Sequence, residues 1–329
     1  MKAMVIRAHG DANVFEMADL DVGVLKPGYV RVRVHATSVN PVDCKVRKLG
    51  PPITPDFPAV LHGDVAGIVE EVGAGVSGFV PGDKVFGCAG GVKGEAGALA
   101  ETMDCDADLL AIMPNSLGFR EAAALPLVCI TAWEGLVDKA RIEPGQKVLI
   151  HAGTGGVGHV AIQIARAKGA EVFATVSGDA KAAIAKKLGA TPINYRETSV
   201  AEYVQQHTNG NGFDVVYDTL GGDNIPRSWE ASKSNGIVIS CQSNSTHDMT
   251  PIHAKGLTFA GVLMLIPLLN GQGRAHFGWI MNEIASLVDA GKIAPVLDET
   301  NFSLDQVADA HQRWESGKAI GKIVINVKP

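Results

Sequence analysis

One short loop constrains the fold of this chain more than any other segment. Residues Gly153–Gly158 read Gly-Thr-Gly-Gly-Val-Gly and match the pattern G-x-G-x-x-G. The loop directly follows the apolar run Lys147–Ala152, and it opens a segment, Gly156–Lys168, with apolar residues on one helical face. In such a strand–loop–helix unit, glycines allow a tight turn, and backbone N–H groups at the helix start receive a pyrophosphate. The sequence therefore predicts a dinucleotide site at Gly153–Gly158.

Strand-like and helix-like segments alternate through the middle of the chain. Short apolar runs bounded by turns are predicted strands, and longer runs with one apolar face are predicted helices. After the first helix these are strand Glu171–Val176, helix Ala180–Leu188, strand Asp214–Tyr217, helix Ile225–Ser232, strand Gly236–Ser240 and strand Thr258–Met264. Such alternation predicts βαβ units on a parallel sheet, the doubly wound Rossmann arrangement of α/β proteins.

The two ends of the chain have a different pattern. Up to residue 118 the sequence reads as short strands between Gly and Pro turns, with a mobile glycine-rich loop over Gly87–Gly97. The tail contains helix Gly278–Asp289, helix Leu304–Ser316 and strand Lys322–Val327. A chain of 329 residues is long enough for two cores. We therefore predict a discontinuous β-rich domain of residues 1–118 and 266–329 around a nucleotide domain of residues 119–265.

Composition and charge exclude several classes of protein. A net charge of −6 argues against binding to nucleic-acid backbones, which require a basic surface. No run approaches the roughly 18 apolar residues of a membrane span, and Met1–Arg7 lacks the apolar core of a signal peptide. The five cysteines form no CxxC pair, and their odd number argues against a disulfide framework. We expect a cytoplasmic protein that binds neither nucleic acid nor membrane.

The end of the second strand indicates which dinucleotide is bound. NAD sites usually have an acid about 20 residues beyond the loop, where it holds the ribose 2′-hydroxyl. Here the strand ends at Val176-Ser177-Gly178, with no acid at its tip. Ser177 and the positively charged Lys181 suit a 2′-phosphate, whereas Asp179 fits a helix N-cap. These residues favour NADP(H), although Lys181 is also consistent with a solvated helix residue.

Several motifs along the chain match a known family. They are Ala36–Asp43 with its Asn-Pro-Val-Asp signature, His62–Val69, Pro81–Val85, His151–Gly158 and Gly321–Val324. With these motifs the chain resembles the medium-chain dehydrogenase/reductases, in particular the zinc-independent quinone oxidoreductase (zeta-crystallin-like) branch. The resemblance implies a GroES-like catalytic domain around a Rossmann domain, with the active site in the cleft between them. It also implies homodimers or homotetramers that pair through Thr258–Met264.

The resemblance also implies roles for individual residues. Asn40 would lie beside the nicotinamide and the substrate as the catalytic residue, although a turn residue before Pro41 is an alternative. The cofactor would be held by Thr154, Gly155, Gly156, Val157 and Gly158 at the pyrophosphate and by Lys181 and Tyr195 near the adenosine phosphate. From their own positions at strand ends, Ser177 is a candidate donor to a 2′-phosphate and Ser240 a candidate backbone contact to the cofactor. Tyr195 is also compatible with a buried structural role. Some family members have a Tyr after the Asn-Pro segment that reaches the nicotinamide, and Val46–Pro52 contains none.

Zinc ligands are missing at the matching positions. The zinc alcohol dehydrogenases of the superfamily use a Cys, a His and a second Cys, and these positions resemble Asn40, Gly63 and Leu127. His62 and Cys129 lie close by in sequence, which leaves a rearranged site open. Quinones and α,β-unsaturated carbonyls accept hydride without a Lewis acid, so we expect an NADPH-dependent, metal-free reductase of such acceptors. The alternatives are a zinc alcohol dehydrogenase with displaced ligands and a non-catalytic, crystallin-like NADPH-binding protein.

Overall fold

The computed structural model describes residues 1–328, which form two compact units. The first unit contains Met1–Leu127, Leu265–Gly291 and the chain from Pro295 onward. The second contains Val128–Met264 and the short segment Lys292–Ala294. The first unit is therefore discontinuous, and it extends to Leu127 where the sequence analysis sets the boundary after residue 118.

The strands are numbered in chain order. They are β1 (Lys2–Ile6), β2 (Glu16–Asp19), β3 (Tyr29–Ser38), β4 (Ala59–Val60), β5 (Asp64–Val72), β6 (Lys84–Cys88), β7 (Thr102–Asp106), β8 (Leu110–Ile112), β9 (Lys147–Ile150), β10 (Glu171–Val176), β11 (Thr191–Asn194), β12 (Phe213–Asp218), β13 (Ser232–Ser240), β14 (Thr258–Gly261), β15 (Phe302–Ser303) and β16 (Val324–Asn326).

The α-helices are numbered in the same way. They are α1 (Pro41–Leu49), α2 (Phe119–Ala123), α3 (Pro126–Trp133), α4 (Gly156–Ala167), α5 (Asp179–Leu188), α6 (Val200–Thr208), α7 (Asn224–Ala231), α8 (Thr250–Lys255), α9 (Ile266–Asn270), α10 (Arg274–Asp289) and α11 (Val307–Glu315). A π-helical turn, Glu134–Lys139, continues α3, and 3-10 turns cover Ala12–Val14, Ala107–Leu109 and Leu304–Gln306. Within residues 1–328 no helix is both long and apolar enough to cross a membrane.

The first unit is built on a seven-stranded sheet in the order β15-β16-β3-β5-β6-β8, with β7 also paired to β3, and on a small sheet of β2, β1 and β4. Its long central strand β3 alternates half-buried and buried residues, as expected for a sheet with one face on the core. The core packs Ile6, Leu61, Leu99 and Val307 together with residues of α1 and α11. This arrangement confirms the predicted β-rich, GroES-like part of the fold.

The second unit confirms the predicted doubly wound sheet. Six parallel strands lie in the order β11-β10-β9-β12-β13-β14, so the order reverses beside β9, the strand that precedes the glycine loop. Ligands of such sheets bind outside the carboxyl ends of the strands at this switch point. The core contains Leu149, Phe173, Phe213 and Trp229. The topology therefore puts Gly153–Gly158 where a ligand is expected.

Several elements differ from the sequence-based prediction. Strand β11 and helix α6 are both absent from the prediction. Strand β11 was missed because it has only four residues and includes a proline, Pro192. Helix α6 begins with a capping box, in which the Ser199 backbone N–H donates to Glu202 at 2.8 Å. Helix α1 is also absent from the prediction. Residues Thr258–Met264 form a strand only as far as Gly261.

The start of α5 corrects a predicted N-cap. The capping residue is Gly178, and Asp179 is the first residue inside the helix. In the first turn its carboxylate is stabilised by the positive end of the helix dipole. Asp179 is therefore an acid of the first turn and not the N-cap.

The glycine-rich segment Gly87–Gly97 is an irregular loop after β6, but its backbone is tied down. The Gly91 N–H donates to Ala96 O at 2.8 Å, and the Lys93 N–H donates to Ile53 O at 2.8 Å. Arg274 of α10 forms an ion pair with the nearly buried Glu95 at 2.5 Å. Close packing requires glycine at Gly90, Gly91 and Gly97, where a Cβ would lie less than 3 Å from backbone atoms.

Candidate functional site

The glycine loop forms a tight turn between β9 and α4. The Gly153 N–H donates to Thr175 O of β10 at 3.0 Å, and the Gly155 N–H donates to Ala152 O at 2.9 Å. A Cβ on Gly158 would lie 2.2 Å from Ala152 O, so only glycine fits at this position. Gly155 is the N-cap of α4 and has no side chain, so the N–H groups of the first helical turn remain available to a ligand. This is the geometry of an anion site at a helix N-terminus.

The residues predicted to contact an adenosine phosphate lie at the ends of the neighbouring strands. Ser177 directly follows β10, Lys181 lies on the first turn of α5, and Tyr195 directly follows β11. Tyr195 is 48% exposed, which disagrees with a buried structural role. For the described residues, no hydrogen bond or ion pair engages the Ser177 hydroxyl or the Lys181 ammonium. Contacts of these residues with a cofactor stay predictions.

A cavity of about 540 Å³ lies in the second unit beyond the carboxyl ends of β9–β12. Among the residues that line it, Tyr195 is a predicted site residue and the other ten were not predicted. Five of them lie on α6 and α7, Asn224 and Arg227 among them, and Ser199 is the N-cap of α6. Because α6 was not predicted, the only indication of this cavity in the sequence was the polar segment that follows the predicted strand Asp214–Tyr217. The cavity adds a cation, Arg227, to the candidate site.

Ser240 is fully buried and bonded within its own unit. Its hydroxyl donates to Asp218 Oδ2 at 3.1 Å, and its carbonyl accepts from the Val262 N–H at 2.8 Å. Asp218 in turn accepts from the backbone N–H groups of Leu220 and Gly221 at 3.1 Å each. Ser240 therefore supports the loop that follows β12, and a direct contact with a cofactor stays a prediction.

Asn40, the predicted catalytic residue, lies at the start of α1 and is fully buried. Its side-chain amide donates to Asp64 Oδ2 at 2.7 Å, and its side-chain oxygen accepts a hydrogen bond from Lys322 Nζ. Its backbone N–H donates to Asp43 Oδ2 at 2.7 Å and holds the first turn of α1. Both ends of the amide are thus used within the first unit. A contact between Asn40 and a substrate stays a prediction, and it requires one of these bonds to be exchanged.

Asp64 is the centre of this buried network. Its carboxylate also accepts from the Ser38 hydroxyl at 2.5 Å and from the Leu127 N–H at 2.8 Å, and Lys322 Nζ lies 3.5 Å away. Burial lowers the pKa of Lys322, and it raises the pKa of Asp43 to about 7. Asp64 and Lys322 are not among the predicted site residues, although both belong to the motifs of the family resemblance.

A second buried network begins at His62, which has a positive φ of 72°. The Thr37 hydroxyl donates to Asp64 O at 2.6 Å, so His62 Nδ1, 3.3 Å away, must donate to Thr37. His62 Nε2 then accepts from His311 Nε2 at 2.9 Å, and His311 Nδ1 accepts from the Cys44 thiol at 3.3 Å. Burial lowers the pKa of both imidazoles, that of His311 to about 3. With both imidazole rings neutral, every hydrogen bond from Cys44 through His311 and His62 to Thr37 therefore has one donor and one acceptor.

The two neutral histidines make stability depend on pH. Their folded pKa values lie below the unfolded value of 6.5, so the unfolded state binds more protons and stability falls as pH falls below 6.5. Between pH 7 and pH 5 His311 alone should remove about 2 kcal/mol from the free energy of unfolding, and His62 acts in the same direction. Protonation of Asp43, whose pKa is raised, stabilises the folded state as pH falls through the same range, so the contribution of the histidines has to be isolated with a variant. In His311→Gln, which retains a donor for His62, the loss measured by urea denaturation should be smaller by about 2 kcal/mol.

The exposed His253→Gln variant is the matched control and should follow the parent curve. Parallel curves for the parent and His311→Gln would contradict neutral burial of His311.

The positions that match zinc ligands form no metal site. Gly63 has no side chain, Leu127 contributes a backbone N–H to Asp64, and His62 is bonded to Thr37 and His311. In the part of the chain that the structure describes, no three His, Cys, Asp or Glu side chains come together as a metal site.

Family models match two parts of the chain. Residues 26–115 match the alcohol dehydrogenase GroES-like domain, and residues 188–325 match the zinc-binding dehydrogenase model. The first match lies within the first unit, and the second covers most of the parallel sheet and the tail.

Curated relatives cover the chain almost end to end. The 2-methylene-furan-3-one reductase of Solanum lycopersicum is 34% identical over 340 residues, which cover 100% of this chain and 80% of that protein. The spectinabilin polyketide synthase system protein NorB of Streptomyces orinoci is 35% identical over 305 residues, or 93% of this chain. The chain spans 13% of the length of NorB and similarly small parts of other polyketide synthases.

Solved structures have the same fold over the full length. An alcohol dehydrogenase superfamily protein from Novosphingobium aromaticivorans has a TM-score of 0.95 and 44% identity, with 100% of both chains covered. An NAD-dependent alcohol dehydrogenase has a TM-score of 0.90 and 32% identity, also with 100% of both chains covered. The Escherichia coli quinone oxidoreductase in complex with NADPH has a TM-score of 0.87 and 28% identity, covering 99% of this chain and 100% of that one. The chain therefore belongs to the medium-chain dehydrogenase/reductase superfamily of oxidoreductases.

Proposed function

We propose that this protein is an NADPH-dependent reductase of quinones or α,β-unsaturated carbonyl compounds that works without a metal. The observation that carries the proposal is the glycine turn at the start of α4, next to a β10 end without an acid. The names of the similar proteins support the acceptor class, since one reduces a furanone and another is a quinone oxidoreductase.

The residues of the second unit fit a dinucleotide. A Cβ on Gly158 would collide with Ala152 O, so glycine at this third position of the motif lets α4 pack closely against the end of β9, as in dinucleotide-binding turns. Thr154, Gly155, Gly156, Val157 and Gly158 would hold the pyrophosphate. Ser177, Lys181, Tyr195 and Ser240 are proposed at the adenosine side and along the crevice. When bound, a reduced nicotinamide supplies a hydride to an electron-poor acceptor.

The first unit would position the acceptor. Asn40 is oriented by Asp64 and Lys322, so its amide is held in one rotamer at the start of α1. We propose that Asn40 hydrogen-bonds the acceptor oxygen after exchange of one of these bonds. The missing ligands at Gly63 and Leu127 favour a reaction that needs no Lewis acid.

The proposed reaction is tested with a panel of quinones, enones and simple alcohols, each with NADPH or NADH, together with metal analysis of the purified protein. Oxidation of NADPH by quinones or enones in protein without stoichiometric metal is the expected result. Activity that depends on bound zinc would support the displaced-ligand alcohol dehydrogenase. Tight NADPH binding without turnover of any acceptor would support a non-catalytic protein.

Cofactor choice is predicted to depend on Lys181. Lys181→Ala should raise the Kd for NADPH about 10-fold, because one charge-assisted bond to a phosphate contributes about 1.5 kcal/mol. The Kd for NADH, which lacks the 2′-phosphate, should not change. Fluorescence titration of the reduced nicotinamide measures both constants.

The matched control is Lys187→Ala on the same helix, where the lysine is exposed near the other end. It should leave both constants unchanged. Equal affinity of the parent for NADH and NADPH would show that the assignment to NADP(H) is wrong.

Pairing of subunits through residues 258–264 and a cytoplasmic location also stay predictions. In the structure β14 is an edge strand of the parallel sheet, and Leu263 beyond it is 57% exposed. An edge strand with an exposed apolar neighbour is suited to pairing with a second copy of the chain.

A further inference from the structure

His151 is a buried polar residue that the proposed function does not use. It directly follows β9, is 3% exposed and lines the cavity described above, beyond the carboxyl ends of β9–β12. Thr175 lies near the end of the neighbouring strand β10, is 2% exposed and lines the same cavity. Both residues belong to the floor of the cavity at the carboxyl edge of the sheet.

The hydrogen bonds of Thr175 determine the tautomer of His151. Thr175 Oγ1 accepts from the Ala152 N–H at 3.0 Å, and it lies 3.3 Å from His151 Nδ1. The buried hydroxyl hydrogen needs an acceptor, and Nδ1 is the acceptor within reach. Burial lowers the pKa of His151 to about 4, so the ring is neutral at neutral pH. Its single N–H group is therefore at Nε2.

The Nε2–H group has no hydrogen-bond partner among residues 1–328. A buried donor without an acceptor is unfavourable, and proteins rarely keep one unless a ligand or water satisfies it. Here the group belongs to a residue that lines a cavity large enough for a ring system. The exposed side chains of Tyr195 and Leu220 line the same cavity, where Tyr195 can stack on a flat aromatic ring and Leu220 offers apolar contact.

We propose that His151 reads the base of the bound dinucleotide: its Nε2–H donates a hydrogen bond to a ring nitrogen of the purine in this cavity. A purine has the required features, since it is flat and has ring nitrogens that accept hydrogen bonds. The inference rests on the proposed function, because it takes the ligand to be an adenine dinucleotide. It adds a specificity-determining residue on the adenosine side that Gly153–Gly158 do not supply.

The test uses His151→Phe, which keeps a ring and removes the donor. The Kd for NADPH should rise about 5- to 15-fold, as expected for one lost hydrogen bond. Reduced nicotinamide mononucleotide has no purine, so kcat/KM with this truncated cofactor and a quinone should be unchanged. His253→Phe, which alters an exposed histidine outside the cavity, should match the parent with both cofactors.

A spectroscopic measurement on the parent protein supplies a second readout that does not depend on the fold of the variant. The ¹⁵N resonance of His151 Nε2 should shift when NADPH binds and stay in place with reduced nicotinamide mononucleotide. NADPH binding that leaves this resonance and the His151→Phe affinity unchanged would overturn the inference and leave the proposed function intact. Failure of the parent to bind NADPH or NADH would instead overturn the proposed function.

Discussion

Replacement of Gly158 by alanine should strongly destabilise the second unit and abolish dinucleotide binding. A Cβ at this position would lie 2.2 Å from Ala152 O and 2.9 Å from Ala152 C. These are backbone atoms of the same tight loop, so no change of rotamer can relieve the contact. Overpacking typically costs about 1–3 kcal/mol, and we expect a loss at the upper end of this range. Urea denaturation followed by tryptophan fluorescence measures it, since Trp133 and Trp229 are both buried in this unit.

The control for this variant is Gly155→Ala in the same loop. There the Cβ would lie 3.2 Å from Ala152 O, a distance that a small shift can accommodate. We expect a loss of about 1 kcal/mol or less, typical of an unfavourable N-cap residue. Similar losses in the two variants would show that close packing of Gly158 against Ala152 does not limit the loop.

Removal of the Asp64 carboxylate should cause a loss of similar or larger size in the first unit. Asp64→Ala leaves Lys322, which is 3% exposed, without its ion-pair partner, and it leaves Asn40 without an acceptor. Loss of one partner from a buried pair costs about 3–5 kcal/mol, because the remaining charge is not compensated. The free energy of unfolding of the variant should therefore fall by about this amount.

A double-mutant cycle separates the ion pair from simple loss of packing. In Asp64→Ala/Lys322→Met no buried charge remains, so the double variant should be more stable than the sum of the single effects predicts. The Arg31–Glu71 pair provides the control, because the Glu71 side chain is 56% exposed and Arg31 keeps Asp104 as a partner, and Glu71→Ala should cost about 1 kcal/mol or less. Additive effects of Asp64→Ala and Lys322→Met would contradict the assigned ion pair.

Hydrophobic patterning was sufficient to predict the parallel sheet. Strand Glu171–Val176 agrees with the prediction at both ends, because its apolar and β-branched residues lie between turn residues. The discontinuous first unit also follows from the change of pattern along the chain. Short elements were missed because they carry little pattern. Strand β11 contains a proline, and α1 follows an Asn-Pro pair that is equally typical of a turn.

Prediction of the site from the sequence was partial for a physical reason. Gly153–Gly158 is a local motif, since all atoms of the turn come from neighbouring residues. The groups that surround Asn40 come from distant parts of the chain, and Lys322 is 282 residues away from it. His311 is likewise 249 residues from His62. No spacing in a single sequence indicates that such residues will meet.

The glycine turn, the acid-free end of β10 and the missing metal ligands can be read directly from the order of amino acids. They require only the identity of residues at the turn, at Ser177 and at Gly63. Only packing of distant segments makes Asn40 buried and oriented by an ion pair, and leaves an unpartnered donor on His151, which lines the cavity beyond the carboxyl ends of β9–β12. Burial and hydrogen-bond satisfaction depend on which distant segments pack together, so local pattern cannot specify them.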